Sequence, residues 1–192
     1  MIADWNESSL IYLHDFMAYE IVADIVYFMA DGPIFFLPIF LLIAWFLKKD
    51  QSSRIHLLHI AYSCVLGVGI SLLIQQFVDI ARPETALEWS VNLILAHIPD
   101  ASFPSDHATV SIAFLTGLFL AGYKKTGFAF LIAAITMNLS RVMAGVHWPL
   151  DIIAGSVVWI SSAFISFWGL TRFAFVKNMN LFIIKISKYL KI

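Results

Sequence analysis

The chain has 192 residues, of which 60% are apolar and only 13% charged, with a net charge of −1 and a mean hydropathy of +0.85. A soluble or disordered chain cannot carry that much apolar surface, and there is no basic excess to bind nucleic acid. An integral membrane protein remains.

The first ten residues, MIADWNESSL, are polar and acidic and lack the basic and apolar regions of a cleavable signal peptide. Residues 8–30 are apolar in patches but contain His14, Asp15, Glu20 and Asp24. They read as a helix lying on the membrane or packed on the bundle, open to joining the first span. The Asp31-Gly32-Pro33 step predicts a break or kink there.

Stretches free of Asp, Glu, Lys and Arg then run for 16 residues (32–47), 24 (55–78), 16 between His107 and Lys124 (108–123), 15 (126–140) and 20 (152–171). A bilayer core about 30 Å thick needs roughly 20 helical residues. The second and fifth stretches suffice alone. The third and fourth reach that length as Ser105–Lys124 and Thr126–Gly145, which puts Ser105, His107, Ser140 and Arg141 on terminal turns. The expected fold is all-α: one membrane-embedded bundle over residues 1–192, with five helices, or six if the 8–30 segment crosses.

Ten of the twelve Lys and Arg residues fall on one side of this alternation, and only Arg82 and Arg141 on the other. The crowded side is therefore expected to be cytoplasmic, with the N-terminus and the 79–106 loop facing out and the C-terminus facing in. Two arginines against the bias call for a reason, and a bound anion is the simplest. The tail 177–192 spaces Lys185, Lys188 and Lys191 along one helical face, partly opposite Phe182, Ile183, Tyr189 and Leu190. It reads as a basic amphipathic helix on anionic lipid, against the alternative of a frayed tail. Cys64, in an apolar run, reads as a buried inert thiol.

Three polar clusters meet on the outer side: Gln75 with Arg82-Pro83, then Phe103-Pro104-Ser105-Asp106-His107, then Ser140-Arg141 with His147 and Asp151. Pro104-Ser105 before an apolar run is a helix start, and its first N–H groups form an anion site. Arg82 and Arg141 are planar forks suited to phosphate oxygens. Trp148 precedes proline and should be extended, Pro149 suits the first helical position, and Asp151 then lies in the first turn. From there its carboxylate can reach back to His147 and fix the tautomer of the ring. His56 and His59 read as packing at the cytoplasmic end of the second span, and His97 as a loop residue open to approaching a ligand. No cluster has the spacing of a zinc or calcium site.

In sequence order the clusters read QQFVDIARP, PSDH and SRVMAGVHWPLD. They resemble the type 2 phosphatidic acid phosphatase (PAP2) superfamily pattern KxxxxxxRP, PSGH and SRxxxxxHxxxD. Two positions depart from it: Gln75 stands for the motif lysine and Asp106 for the motif glycine. The PSDH variant and short chain are most similar to bacterial undecaprenyl-diphosphatases of the bacitracin-resistance type.

The resemblance implies a metal-independent lipid-diphosphate phosphatase without a cofactor. It would cleave undecaprenyl diphosphate to undecaprenyl phosphate on the outer face of the bacterial plasma membrane, as part of peptidoglycan synthesis. His147 would be the nucleophile and form a phosphohistidine, oriented by Asp151, with His107 as acid and then base. Arg82, Arg141, Ser105 and Gln75 would hold phosphate, with Asp106 and Ser140 tuning the site. The isoprenoid would lie among the membrane helices. Three alternatives stay open: another lipid phosphatase, acting on phosphatidylglycerol phosphate or phosphatidic acid; a lipid phosphotransferase; and a lipid-binding or translocating protein with no activity.

Overall fold

The computed structural model describes residues 2–91, 93 and 101–190, and all regular structure among them is helical. Helix α1 (Ile2–His14) is followed by α2 (Glu20–Asp31), a 3-10 turn at Gly32–Phe35 and α3 (Phe36–Leu47). Then come α4 (Gln51–Gln75), a single turn α5 (Pro83–Ala86), α6 (Asp106–Leu120), α7 (Lys124–Met143), α8 (Pro149–Phe164) and α9 (Ala174–Tyr189).

Glu20–Leu47, Gln51–Gln75, Lys124–Met143 and Pro149–Arg172 are each long and apolar enough to cross a bilayer. With the shorter apolar helix α6 they form a five-helix membrane bundle. The 8–30 segment divides. Its second half joins the first span, and the Asp31-Gly32-Pro33 step tightens that span to 3-10 geometry without ending it. Its first half, α1, packs against α7 and α8. Lipid-facing side chains such as Val65, Ile132 and Val157 are exposed apolar residues, as a hydrocarbon solvent permits.

Local chemistry sets the helix ends. Asp50 caps α4 by accepting the Ser53 N–H at 2.7 Å, and that bond holds its carboxyl below the ordinary carboxylate range. Helix α6 stops at Leu120, short of the expected Lys124, because Gly122 turns the chain at φ +82°. With 15 residues it is about 22 Å long, less than the hydrocarbon core. Its start is packed inside the bundle, where Ser105 is fully buried.

Helices α4, α6 and α8 pack on one another, and Gly155 brings α8 close to the start of α6. A Cβ at Gly155 would meet the Ser105 carbonyl oxygen at 3.2 Å. Membrane helices associate through such close approaches and through polar contacts, since lipid removes the hydrophobic drive between them. Leu37, Leu57, Ile60, Phe114 and Leu118 form the apolar centre, with Phe40, Phe114 and Phe130 ring against ring.

At the other end from the outer clusters, α9 docks through Val176, Asn180, Ile184 and Ser187, leaving Lys185 and Lys188 exposed. Arg54, one of the ten cations on the crowded side of the alternation, is buried. It donates to Lys48 O (2.8 Å), Trp45 O (3.4 Å) and the Ser187 hydroxyl, and stacks 4.8 Å from the Trp45 ring.

Candidate active site

Three chain segments deliver the polar residues of the motif clusters to one end of the bundle. Helix α7 ends in Ser140-Arg141, and Gly145 follows at φ +75°, with Val146 N–H returning to Arg141 O at 3.1 Å. Only glycine fits there: a Cβ would lie 2.7 Å from the Trp89 ring, which stacks on His14. The turn aims His147 inward. Trp148 is extended and Pro149 opens α8, as the sequence leads one to expect, and Asp151 accepts the Trp148 N–H at 2.8 Å. Asn6 of α1 adds a cap by accepting Leu150 N–H at 3.0 Å.

The His147 imidazole is 2% exposed and held at both nitrogens. Its Nε2 lies 3.2 Å from Arg82 Nη1, which also donates to Val146 O at 3.0 Å. A guanidinium can only donate, so Nε2 must be the acceptor nitrogen. Nδ1 therefore carries the hydrogen, with Ser102 O at 3.0 Å and Asp151 Oδ2 at 3.4 Å. Ser102 contributes twice, because its hydroxyl also donates to Asp151 Oδ2. The network fixes one neutral tautomer with its lone pair on Nε2.

A second cluster adjoins the first, with Arg82 and Arg141 within electrostatic reach of each other. Arg141 Nη1 donates to Asp31 Oδ1 at 2.7 Å and to Ala30 O at 3.2 Å. The same Asp31 oxygen lies 3.4 Å from His107 Nε2, and His107 is the more open of the two site histidines. Arg141 Nε is buried and makes no hydrogen bond among the described residues.

Sequence reasoning missed Asp31 and Ser102. Asp31 served only to mark where an apolar stretch began, although a carboxylate inside a membrane helix is a functional flag in itself. Ser102 stands three residues before Ser105 and matches no part of the motif pattern.

The remaining site residues occupy other positions. Ser105 caps α6, accepting Ala108 N–H at 3.4 Å, while its own N–H donates to Asp151 O at 3.3 Å. Gln75 does not project freely toward a phosphate: its amide donates to Pro104 O (3.1 Å) and Asp106 Oδ1 (3.2 Å). Ser71 donates to the same Asp106 oxygen at 2.5 Å. The two departures from the motif thus face each other, the amide held by the added carboxylate. Ser140 is buried in the last turn of α7. His14 donates through Nδ1–H to Met143 O at the end of α7 (2.8 Å). His97 lies outside the described residues. Among the described residues, no group of three His, Cys, Asp or Glu is placed to hold a metal ion.

An apolar cavity of about 330 Å³ opens between α3, α6 and α7, lined in part by Pro33, Leu37, Ser111, Ala133 and Met137. Each wall starts close to a charged site residue: Pro33 lies two residues from Asp31, Ser111 one turn from His107, and Met137 one turn from Arg141.

Residues 56–174 match the PAP2 superfamily model. The chain belongs to the PAP2 superfamily. This PAP2 chain is 32% identical over 163 residues to the bacitracin transport permease protein BcrC of Bacillus licheniformis, covering 84% of the chain and 78% of that relative. It is 30% identical over 148 residues to the undecaprenyl-diphosphatase BcrC of Bacillus subtilis, covering 77% and 75%. Among solved structures, Aquifex aeolicus LpxE aligns with a TM-score of 0.52 at 23% identity, covering 73% of this chain and 79% of that one. That likeness carries the fold. The protein is a PAP2 phosphatase of the membrane.

Proposed function

We propose that the chain hydrolyses a polyprenyl diphosphate, undecaprenyl diphosphate being the substrate class best supported, to the monophosphate and inorganic phosphate. The observation that carries this reading is His147, fixed as a neutral imidazole with its Nε2 lone pair beside Arg82. A phosphate that engages Arg82 brings its phosphorus toward that nitrogen.

In the first half-reaction Nε2 attacks the terminal phosphorus and the bond to the bridging oxygen breaks. His107, as a cation, gives its proton to the departing lipid monophosphate. Water then attacks the phosphohistidine, giving a proton to His107, and the P–N bond breaks to release phosphate and neutral His147. Arg82, the unbonded Nε of Arg141 and the N–H groups at the start of α6 stabilise the equatorial oxygens. Asp151 and Ser102 O stabilise the charge that His147 gains. No step calls for a metal.

The apolar cavity beside Asp31, His107 and Arg141 suits the first isoprene units, which the bilayer would otherwise solvate. The bias of Lys and Arg supports a site on the outer face and a cytoplasmic C-terminus. The Bacillus subtilis relative supports the diphosphate substrate by its name, undecaprenyl-diphosphatase.

The test is phosphate release by purified protein from undecaprenyl diphosphate, phosphatidylglycerol phosphate and phosphatidic acid, each with and without EDTA. The expected result is fastest release from the diphosphate, unchanged by chelation. Preference for a glycerophospholipid would overturn the substrate, and loss of activity in EDTA the metal-free mechanism. Phosphate appearing on a second lipid would mark a transferase. Lipid binding without turnover would favour a carrier.

A further inference from the structure

Asp31 lies upstream of residues 56–174, the part of the chain that matches the family model, and on a different helix from every motif residue. It is fully buried at the end of α2, where an unpaired carboxylate could not stay charged. One of its oxygens meets two site residues, His107 Nε2 at 3.4 Å and Arg141 Nη1 at 2.7 Å.

We propose that Asp31 is a positioning residue of the phosphatase site, holding the proton-donating imidazole and the phosphate-binding guanidinium in fixed relation through a single carboxylate. The inference rests on the roles given above to His107 and Arg141. Through His107 it acts on the chemical step. A carboxylate beside the ring favours the imidazolium form and presents the other nitrogen, Nδ1, to the leaving oxygen. Through Arg141 it acts on binding. Using Nη1 and the Ala30 carbonyl to anchor the fork leaves Nε available for an anion.

Other charged groups surround this corner. Arg82 and Glu84 come from the outer loop, Arg141 from α7, His147 and Asp151 from the start of α8, and Asp106 from His107's own helix. Asp106 is held by Ser71 and Gln75 of α4. Asp31 is the carboxylate from α2 paired with the ring.

The 3-10 step at Gly32–Phe35 follows directly. It ends α2 at Asp31 and still lets α3 continue the span, so the carboxylate sits at a helix junction inside the bundle.

The experiment uses the full chain in detergent, with farnesyl diphosphate and para-nitrophenyl phosphate as probes. Asp31→Asn is expected to lower kcat on farnesyl diphosphate roughly 10–100-fold, at most the lower bound of what general acid catalysis supplies. Its alkaline pH limb should move to lower pH, because the imidazolium has lost its anion. KM should rise several-fold. In a His107→Ala background the same substitution should leave kcat nearly unchanged and still raise KM, since only the Arg141 contribution remains.

An unmoved alkaline limb, or kcat losses that multiply in the double variant, would overturn the proposal in favour of a purely structural ion pair. Asp31→Glu keeps the charge and is expected to retain the limb. If the Asn protein does not fold, the Glu variant is compared in the two backgrounds. A kcat loss confined to the His107 background supports the proposal, and an equal loss in both overturns it. Wild-type protein that releases no phosphate from either probe would instead sink the functional reading beneath it.

Discussion

The bundle holds two buried polar networks, one at each end, built from similar side chains. At the inner end, Arg54 donates to two backbone carbonyls and to Ser187, and His59 lies 3.3 Å from the Ser166 hydroxyl and 3.5 Å from the Asn180 amide. Tyr62 donates to Asn180 at 2.7 Å. The contacts to Ser187, Asn180 and Ser166 join α9 or the π-turn at Ile165–Gly169 to α4, and the two carbonyl contacts of Arg54 close the corner of α3 and α4. At the outer end the arginines meet carboxylates and an imidazole, and a buried N–H of Arg141 is left over. Arginine and histidine buried in a membrane protein therefore do not mark a catalytic site by themselves. A site needs donors that the fold leaves over, and a nucleophile whose lone pair points at them.

The sharpest way to break this contrast is His147→Ala. It should lower phosphate release by ~10³-fold or more, the scale seen when a covalent nucleophile is removed. It should also abolish acid-labile labelling of the protein by substrate carrying ³²P in its terminal phosphate. Labelling that survives in this variant would move the nucleophile elsewhere and remove the distinction between the two ends.

His107→Ala should cost less, about 10²-fold, and the loss should depend on the leaving group. A diphosphate expels a phosphate, which needs less protonation than the alkoxide leaving phosphatidic acid. The deficit should therefore be smaller on the diphosphate. The wild-type kcat/KM profile should be bell-shaped. Activity falls at low pH as His147 becomes protonated and stops attacking, and at high pH as His107 loses the proton it donates. His107→Ala should erase the alkaline limb and leave the acid one. Equal losses on both substrates would remove His107 from the acid role.

How far the sequence could be read differs between the two ends for the same physical reason. The second and fifth spans, the capping of α6 by Ser105 and the Trp148-Pro149-Asp151 start of α8 follow from local rules, and they place His147, Arg82 and Arg141 at one end of the bundle. Asp31 and Ser102 escape because their roles come from tertiary contact: Asp31 reaches across from α2 to α6 and α7, and Ser102 reaches Asp151 from the loop before α6. Gln75 shows the converse. Its motif position suggests a phosphate contact, while the added Asp106 on the facing helix holds its amide. From sequence, His56 and His59 read only as packing at one end of the second span. The burial of the inner network becomes legible only when α9 is seen docked on the bundle.

The smallest expected effect sharpens the contrast from the inner side. Asn180→Ala removes the acceptor of the Tyr62 hydroxyl and the amide beside His59, contacts that tie α9 to α4. Interhelical hydrogen bonds in membrane proteins contribute on average well under 2 kcal/mol, so a loss of about 1 kcal/mol is expected. It should appear as a lower thermal midpoint in detergent, with kcat and KM within about twofold of wild type, because none of these groups touches the outer residues. A fall in kcat comparable to that of His107→Ala, at unchanged stability, would mean that the two ends are coupled through α4 and α8. Helix α4 carries Arg54 and His59 near one end and Ser71 and Gln75 near the other, and α8 runs from Asp151 to the π-turn that holds Ser166. A stability loss without a kinetic one keeps the inner network as a fastener for α9 and the outer one as the reacting site.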